Sequence, residues 1–429
     1  MVTRPKIAIV GTGIAGNVVA HKLHGNCDIT VYESNDYIGG HANTIDVHNG
    51  TSSLPLDTGF LVFNDRTYPN FIQLLDELGV ASQESSMSFS VRAENAALEY
   101  NGATLNTLFA QRRNLVRPSF HKMVRDILRF NREARKMLQD GDLNMMLGDF
   151  LAYGRYSREF VQHYLIPMGA AIWSAEPEMM GQMPANFFLR FFENHGLLSV
   201  KNRPVWRVIK GGSREYVSRL VEAHRHRIRL GCSVESVTRH EDTVTVRAAG
   251  RQPENYDYIF LACHSDQALR LLDDADQTER DVLGAIPYQR NEATLHTDKT
   301  LMPKRRRAWA AWNYHVPKRS NERVTLTYHL NTLQGLGNEQ QYFVTLNSQE
   351  MIRPESIIRT IDYEHPVFTL EGIHAQKRQA QINGLRRAYF CGAYWRYGFH
   401  EDGVVSALNA LQHFSERSED AQQHFQRAS

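Results

Sequence analysis

Lys6-Ile7-Ala8-Ile9-Val10-Gly11-Thr12-Gly13-Ile14-Ala15-Gly16 decides the fold of this chain. The apolar run Ile7–Val10 reads as a short buried strand, and Gly11, Gly13 and Gly16 follow it as G-x-G-x-x-G. Gly11 suits a tight turn, Gly13 lets backbone approach a pyrophosphate, and Gly16 lets the next helix pack close to the sheet. Ile14 and Ala15 fall in that helix's first turn, whose amides and dipole favour phosphate. A second strand, Asp28–Tyr32, ends at Glu33-Ser34, which puts the Glu33 carboxylate 22 residues past Gly11, at the distance of a ribose-binding acid. Together these pieces predict a dinucleotide site. The alternative is a glycine-rich turn in some other α/β protein.

A chain of 429 residues, 42% of them hydrophobic, can bury the core of two domains. A formal charge of +2 gives no reason to expect nucleic acid. The four cysteines (Cys27, Cys232, Cys263, Cys391) are scattered, without C-x-x-C or metal spacing, which suits a reducing cytoplasm. None of the 19 histidines falls in an H-E-x-x-H arrangement, so no metal is expected. The N-terminal apolar run is the first nucleotide-binding strand rather than a secretory signal, and no run of apolar residues is long enough to span a bilayer.

Helical spacing over 66–80 (Tyr68, Phe71, Ile72, Leu74, Leu75, Leu78) closes at Gly79. Residues 105–200 read as mostly helical. Strands are expected over Ser233–Val246, Tyr258–Ala262, Ala293–His296, Val324–Leu330, Tyr342–Leu346 and Ala388–Cys391, then a helix over Val404–Phe414. Nucleotide-type signals at both ends and in the middle imply an interleaved α/β architecture. A Rossmann-like domain of 1–60, 205–270 and 385–415 is expected to alternate with a mixed-sheet and helical substrate domain of 61–204 and 271–384. A polar tail, 416–429, is expected to fray.

Further glycine turns at Gly39-Gly40, Gly211-Gly212-Ser213 and Gly392 through Gly403 suggest a ligand larger than NAD, contacted by distant segments. With Asp57-Thr58-Gly59-Phe60 and Phe390-Cys391-Gly392-Ala393-Tyr394, these marks make nearly the whole chain resemble the FAD-dependent amine oxidase and phytoene desaturase-like flavoproteins. Leu295-His296-Thr297-Asp298 and Ala308-Trp309-Ala310-Ala311-Trp312-Asn313-Tyr314 are similar to a bacterial subgroup associated with cyclopropane and methyl-branched fatty acid synthesis. The resemblance implies a GR2-type fold and FAD as cofactor. Glu33 would bind the adenosine ribose, and Gly39, Gly40 and His41 would lie along flavin and pyrophosphate. Thr58, Gly59 and Phe60 would join them, with Val234 at adenine, Ala262 also contacting the cofactor and Gly392 at the pyrophosphate. Gly403 and Val404, at the start of the last helix, would face the polar edge of the flavin. Two departures stand out: His41 occupies a position where the family commonly has Arg, and no Lys lies on the strand Asn291–Asp298. His296 is the nearest usable group there and the candidate catalytic residue, the alternative being a structural histidine.

A single G-x-G-x-x-G argues against an NAD(P)H half-reaction. The expectation is therefore an oxidase or desaturase that takes a hydride from its substrate. Trp173, Trp309, Trp312, Tyr314 and Phe399 are candidate substrate contacts. With Phe187–Phe192 they suit an apolar tunnel for an acyl chain, an aromatic cage for an amine, or ordinary core. Phe120, Met123, Val124, Ile127, Leu128, Met137 and Leu138 predict an amphipathic helix. Arg112, Arg113, Arg117, Lys122, Arg125, Arg129, Arg132, Arg135 and Lys136 crowd its other face and approach. Such a helix suits peripheral contact with an anionic membrane at the mouth of the substrate cavity, or simple packing on the protein's own core. The leading expectation is an FAD enzyme acting on methylated acyl groups of lipid, with a fatty-acyl methyltransferase as a possible partner. The alternatives are an amine oxidase and a lipid-binding flavoprotein accessory to that methyltransferase.

Overall fold

In the computed structural model, Lys6–Val10, Asp28–Tyr32 and Tyr258–Leu261 are buried apolar strands, which only a sheet covered on both faces can satisfy. They form the centre of a parallel five-stranded sheet in the order Ile228–Arg229, Asp28–Tyr32, Lys6–Val10, Tyr258–Leu261, Ala388–Phe390. The structure describes residues 4–49, 52–140, 144–199, 201–318, 325–337 and 339–417. Helix Ile14–Leu23 and helix His400–Arg417 cover one face, the latter burying Gly403, Val404, Ala407, Ala410 and Phe414 along one stripe.

A second sheet has seven strands, ordered Ile357–Pro366, Tyr288–His296, Phe343–Leu346, Thr325–His329, Trp312–Val316, Phe89–Ala93, Leu98–Asn101. All its pairings are antiparallel except Trp312–Val316 with Phe89–Ala93. Helices Pro118–Asp140, Leu147–Tyr153, Ile166–Trp173 and Ala185–Asn194 pack on it and complete the largest apolar core.

Core packing divides the chain differently from the expected domains. Phe71, Leu74 and Leu75 of helix Pro69–Glu77 share the core of the five-stranded sheet. So do Val282, Leu283, Ile286, Ala375 and Ile382, on that sheet's other face. These segments lie between the second sheet and the nucleotide-type strands in sequence, and their apolar faces fit the nearer parallel sheet.

The amphipathic helix runs from Pro118 to Asp140, but its approach, Arg112–Val116, is a short 3₁₀ turn. Its apolar face is consumed internally: Phe120, Met123, Phe130, Ala134 and Met137 are buried in the protein's own core, while Leu128, expected on that face, is exposed. The last helix starts at His400, four residues before the expected Val404, because Asp402 accepts hydrogen bonds from the Phe399 and Tyr397 amides and closes the first turn there. Residues 416 and 417 finish this helix, and the rest of the expected frayed tail lies outside the described residues. No helix among the described residues is long and apolar enough to cross a membrane.

Candidate active site

The glycine-rich segments converge above the carboxyl edge of the five-stranded sheet, where open α/β folds bind ligands. Helix Ile14–Leu23 begins at Gly13 with no side-chain cap, which leaves its first-turn amides to an incoming anion. A Cβ on Gly16 would stand 2.0 Å from the Gly11 oxygen, and Gly11 itself adopts φ +103, its turn backed by the Ala262 carbonyl. Gly40 (φ +59) lies on Gly13, whose own Cβ position is open space. A Cβ on Gly403 would strike Ile14 at 2.6 Å, and one on Gly59 would strike the His41 carbonyl at 2.3 Å. Segments 11–16, 39–41, 58–60 and 399–404 therefore surround one cradle of bare backbone. Its shape and its open helix N-terminus fit a dinucleotide.

Glu33 is buried at the end of its strand, and its carboxylate is already engaged. One oxygen accepts from the Thr12 amide at 2.9 Å and the Thr12 hydroxyl; the other accepts from the Asn35 amide and side chain, both at 2.9 Å. Glu33 thus fastens the glycine turn, and exposed Ser34 flanks it. The Glu33 and Asn35 carbonyls accept from the Cys232 and Gly231 amides, which brings Val234 to the same end. Gly392 donates to the Ser406 hydroxyl at 2.6 Å, tying the last strand to the last helix.

His41 stacks on Tyr363 (4.8 Å) and meets His365 edge-on (5.2 Å). Its Nε2 is buried without a partner, so this position offers a hydrogen-bonding atom to a ligand. Burial, with His365, His264 and His400 nearby, holds its pKa well below the usual histidine value. A neutral ring therefore stands where the resembling family has a cation. His400 stacks on Phe60 at 3.5 Å and pairs with the Tyr216 hydroxyl at 3.0 Å; burial pushes it down to about 3. The Thr58 hydroxyl pairs with the Tyr363 hydroxyl at 2.9 Å. No group of described His, Cys, Asp or Glu residues is arranged to hold a metal ion.

His365, Asn291, Tyr363 and His264 were not legible as site residues. Antiparallel pairing sets Gln289 opposite His365 and Asn291 opposite Tyr363, a register that no sequence spacing announces. A directional chain orders His365. The Glu292 amide donates to Asn347 Oδ1 at 3.0 Å, Asn347 Nδ2 to Asn291 Oδ1 at 2.8 Å, and Asn291 Nδ2 to His365 Nδ1 at 3.0 Å. Because a backbone N–H starts the chain, His365 Nδ1 accepts and its proton sits on Nε2. Burial, with His264 adding, lowers His365 to about 4. His264 stacks on Tyr288 at 4.3 Å and pairs with Glu364 at 3.3 Å.

The candidate catalytic His296 lies at the opposite end of strand Tyr288–His296 from this cluster. It is fully buried, with Nε2 on the Thr345 hydroxyl at 2.7 Å and Nδ1 accepting from the Asp298 amide at 3.1 Å. Burial lowers it to about 4, so it is a satisfied core histidine with no free ring nitrogen. Trp309 belongs to the same remote end, edge-on to His329 and Phe343. Trp312 packs edge-on to Tyr328, and Tyr314 is buried core on the same strand. Trp173 and Phe399, by contrast, are joined through Phe191, at 4.8 and 5.1 Å.

Beside Trp173 opens a cavity of about 460 Å³, with Met146, Met179, Met180, Met183 and Phe368 among its walls. Pro366, the residue after His365, also lines it, and Gly398 packs on both Phe368 and Pro366. Pro366 is thus the cavity's link in sequence to the histidine cluster, none of whose rings lines it. No residue of helix Pro118–Asp140 lines it.

Residues 14–306 match the family described as flavin containing amine oxidoreductase. Comparison with curated proteins gives no match. Among solved structures, the chain is similar to cyclohexylamine oxidase from Brevibacterium oxydans IH-35A (14% identity, TM-score 0.69, covering 96% of this chain and 99% of that one). It is also similar to a CLA-producing fatty acid isomerase from P. acnes (14%, 0.67, 96% and 98%). A reduced UDP-galactopyranose mutase shows a similar likeness (14%, 0.67, 97% and 96%). At such identities the likeness shows a shared fold.

Proposed function

This chain belongs to the flavin-containing amine oxidoreductase family and is an FAD-dependent oxidoreductase, and on that premise we propose that it desaturates the acyl chain of a lipid, one carbon giving a hydride to the flavin and its neighbour a proton to water, with a methylated fatty acyl group as the preferred substrate and oxygen or another acceptor taking the electrons from the flavin. The carrying observation is the cavity beside Trp173. Its buried walls are Trp173, Ala175, Met180, Met183 and Phe368, while its carboxylates, Asp149 and Glu371, are exposed. Unbranched, polarisable methionines adapt to a flexible chain, and no buried charge at the wall would have to be desolvated.

The first-turn amides of helix Ile14–Leu23, Glu33 and the glycine turns would hold FAD, which would supply the two-electron acceptor. The chain's own residues set the surroundings. His41 and His400 stay neutral and present stacked rings in place of a fixed cation, which keeps the cradle apolar. His365, fixed as its Nε2–H form, can donate one hydrogen bond but does not readily take up a proton near neutral pH, because burial holds it at about 4. Trp173 donates to the Tyr397 carbonyl at 3.3 Å and holds the aromatic wall against the loop that carries Gly398.

Amine oxidation is the second reading. It is favoured by the exposed Asp149 and Glu371, which would attract an ammonium group. The fold serves amine and fatty acid chemistry in different neighbours and so does not choose between them. A blocking substitution does. Ala175→Trp fills the buried side of the cavity and should raise KM for a long acyl substrate at least tenfold, with flavin content unchanged. Unaltered acyl turnover in that variant would place the substrate elsewhere.

A further inference from the structure

A second cavity, of about 340 Å³, lies against edge strand Leu98–Asn101, at the opposite edge of the seven-stranded sheet from the strand bearing Tyr363 and His365. We propose that this cavity, walled by Arg117, Arg158 and His163, binds the phosphate of an anionic lipid headgroup and seats the enzyme on a membrane surface.

The cavity is built for an anion. Arg117 Nε donates to the Ser119 hydroxyl at 3.0 Å and Nη2 to the Ala96 carbonyl at 3.1 Å, which fixes the guanidinium while leaving Nη1. Arg158 Nε donates to Gln162 Oε1 at 2.7 Å, which leaves both terminal nitrogens. Neither arginine has a carboxylate partner among the described residues, so two fork-shaped donors stand uncompensated. Glu159 also lines the cavity; with both arginines the wall keeps a net positive charge.

His163 completes the wall with the two arginines and is tied to Tyr100. It is 9% exposed, it lines the cavity, and its buried Nδ1 has no hydrogen-bond partner. It sits in a π-helical turn, Val161–Leu165, a geometry that re-aims side chains and concentrates at functional sites. The Tyr100 hydroxyl donates to the His163 carbonyl at 2.7 Å and anchors that turn.

The neighbouring surface argues for a lipid source of that phosphate. Val116, immediately before Arg117, is 83% exposed, and Leu105 and Leu115 are 77% and 51% exposed. Residues 112–125 carry Arg112, Arg113, Arg117, Lys122 and Arg125 with no acid among them. Protruding aliphatic side chains ringed by cations complement an anionic interface, whose attraction is about 1 kcal/mol per basic residue and is screened by salt. The contact is made by the 3₁₀ turn and the cavity, since the apolar face of helix Pro118–Asp140 is buried in the core.

The test uses the flavin-loaded enzyme, co-sedimented with phosphatidylcholine vesicles with or without phosphatidic acid. A parallel arm measures binding of inorganic phosphate in solution. Wild type should sediment only with phosphatidic acid, and Arg158→Gln should weaken that binding about tenfold. Val116→Asp should weaken vesicle binding but leave any phosphate binding intact. Flavin content reports the fold of each variant. Equal sedimentation with both vesicle types, or full binding by Arg158→Gln, would overturn the proposal. Phosphate binding lost in Arg158→Gln without vesicle preference would assign the cavity to a soluble phosphate and overturn the lipid source.

Discussion

Asp57 holds Ser213, 156 residues later in the chain: the Ser213 amide donates to both carboxylate oxygens at 2.9 and 3.1 Å, and its hydroxyl donates at 2.7 Å. Thr44 adds a hydroxyl at 2.6 Å, and Gly212, at φ +87, presses against the Thr44 side chain. The two sequence motifs around Asp57 and Gly211-Gly212 are thus one structural joint beneath the cradle.

Asp57→Ala should therefore leave the buried Ser213 amide without an acceptor and cost about 1–3 kcal/mol. Urea denaturation of the flavin-free protein measures this. Because the joint supports segment 58–60, flavin occupancy should fall in parallel, and a stable variant with full flavin would contradict the link.

Glu33→Ala removes an acceptor from the Thr12 and Asn35 amides as well as from ribose hydroxyls. FAD affinity should drop by about 1–3 kcal/mol, read from flavin lost on gel filtration. The flavin-free variant should also be less stable than the flavin-free wild type, a loss that a contact with ribose alone would not cause.

His296→Gln should leave anaerobic flavin reduction unchanged and lower stability, since both ring nitrogens are bonded within the core. Asn291→Leu should do the reverse to catalysis, slowing reduction because His365 loses the partner that fixes its tautomer. Stopped-flow traces of the two variants at matched flavin content separate these roles.

Acid should destabilise the fold. Burial drives His195, His224, His296 and His365 to about 4 and His400 to about 3, from 6.5. As pH falls below about 6.5, the unfolded chain takes up protons that the folded chain refuses, so stability present above that pH is lost toward pH 4. Asp57 and Asp402, raised by burial to about 6, act oppositely, their contribution present below about 4 and lost as pH rises through 6. Five histidines outweigh two carboxylates, so the thermal midpoint should fall by several degrees from about pH 7 to pH 5.

The sequence displays the nucleotide half of this molecule because its chemistry is local: turn, helix start and acid lie within 6–33, and Gly11 and Gly16 answer to close backbone contacts. The substrate half is built by pairing between distant strands. His365 reaches His41 only through the register of Tyr288–His296 with Ile357–Pro366, while His296, conspicuous at a strand end, lies at the end away from that cluster. Helical periodicity correctly marked an apolar face at 120–138 but carries no information on whether core or membrane covers it. The helix starts at His400 rather than the expected Val404 because Asp402 caps backward onto the Phe399 and Tyr397 amides, which the spacing hid.

The most direct measurement is anaerobic mixing of the flavin-loaded enzyme with a methyl-branched phospholipid or with aliphatic amines, following the visible flavin absorption. Bleaching by the phospholipid, slowed several-fold when the carbons beside its methyl branch carry deuterium, is the predicted result. Bleaching by amines and not by the phospholipid would contradict the acyl-chain assignment and leave an amine oxidase.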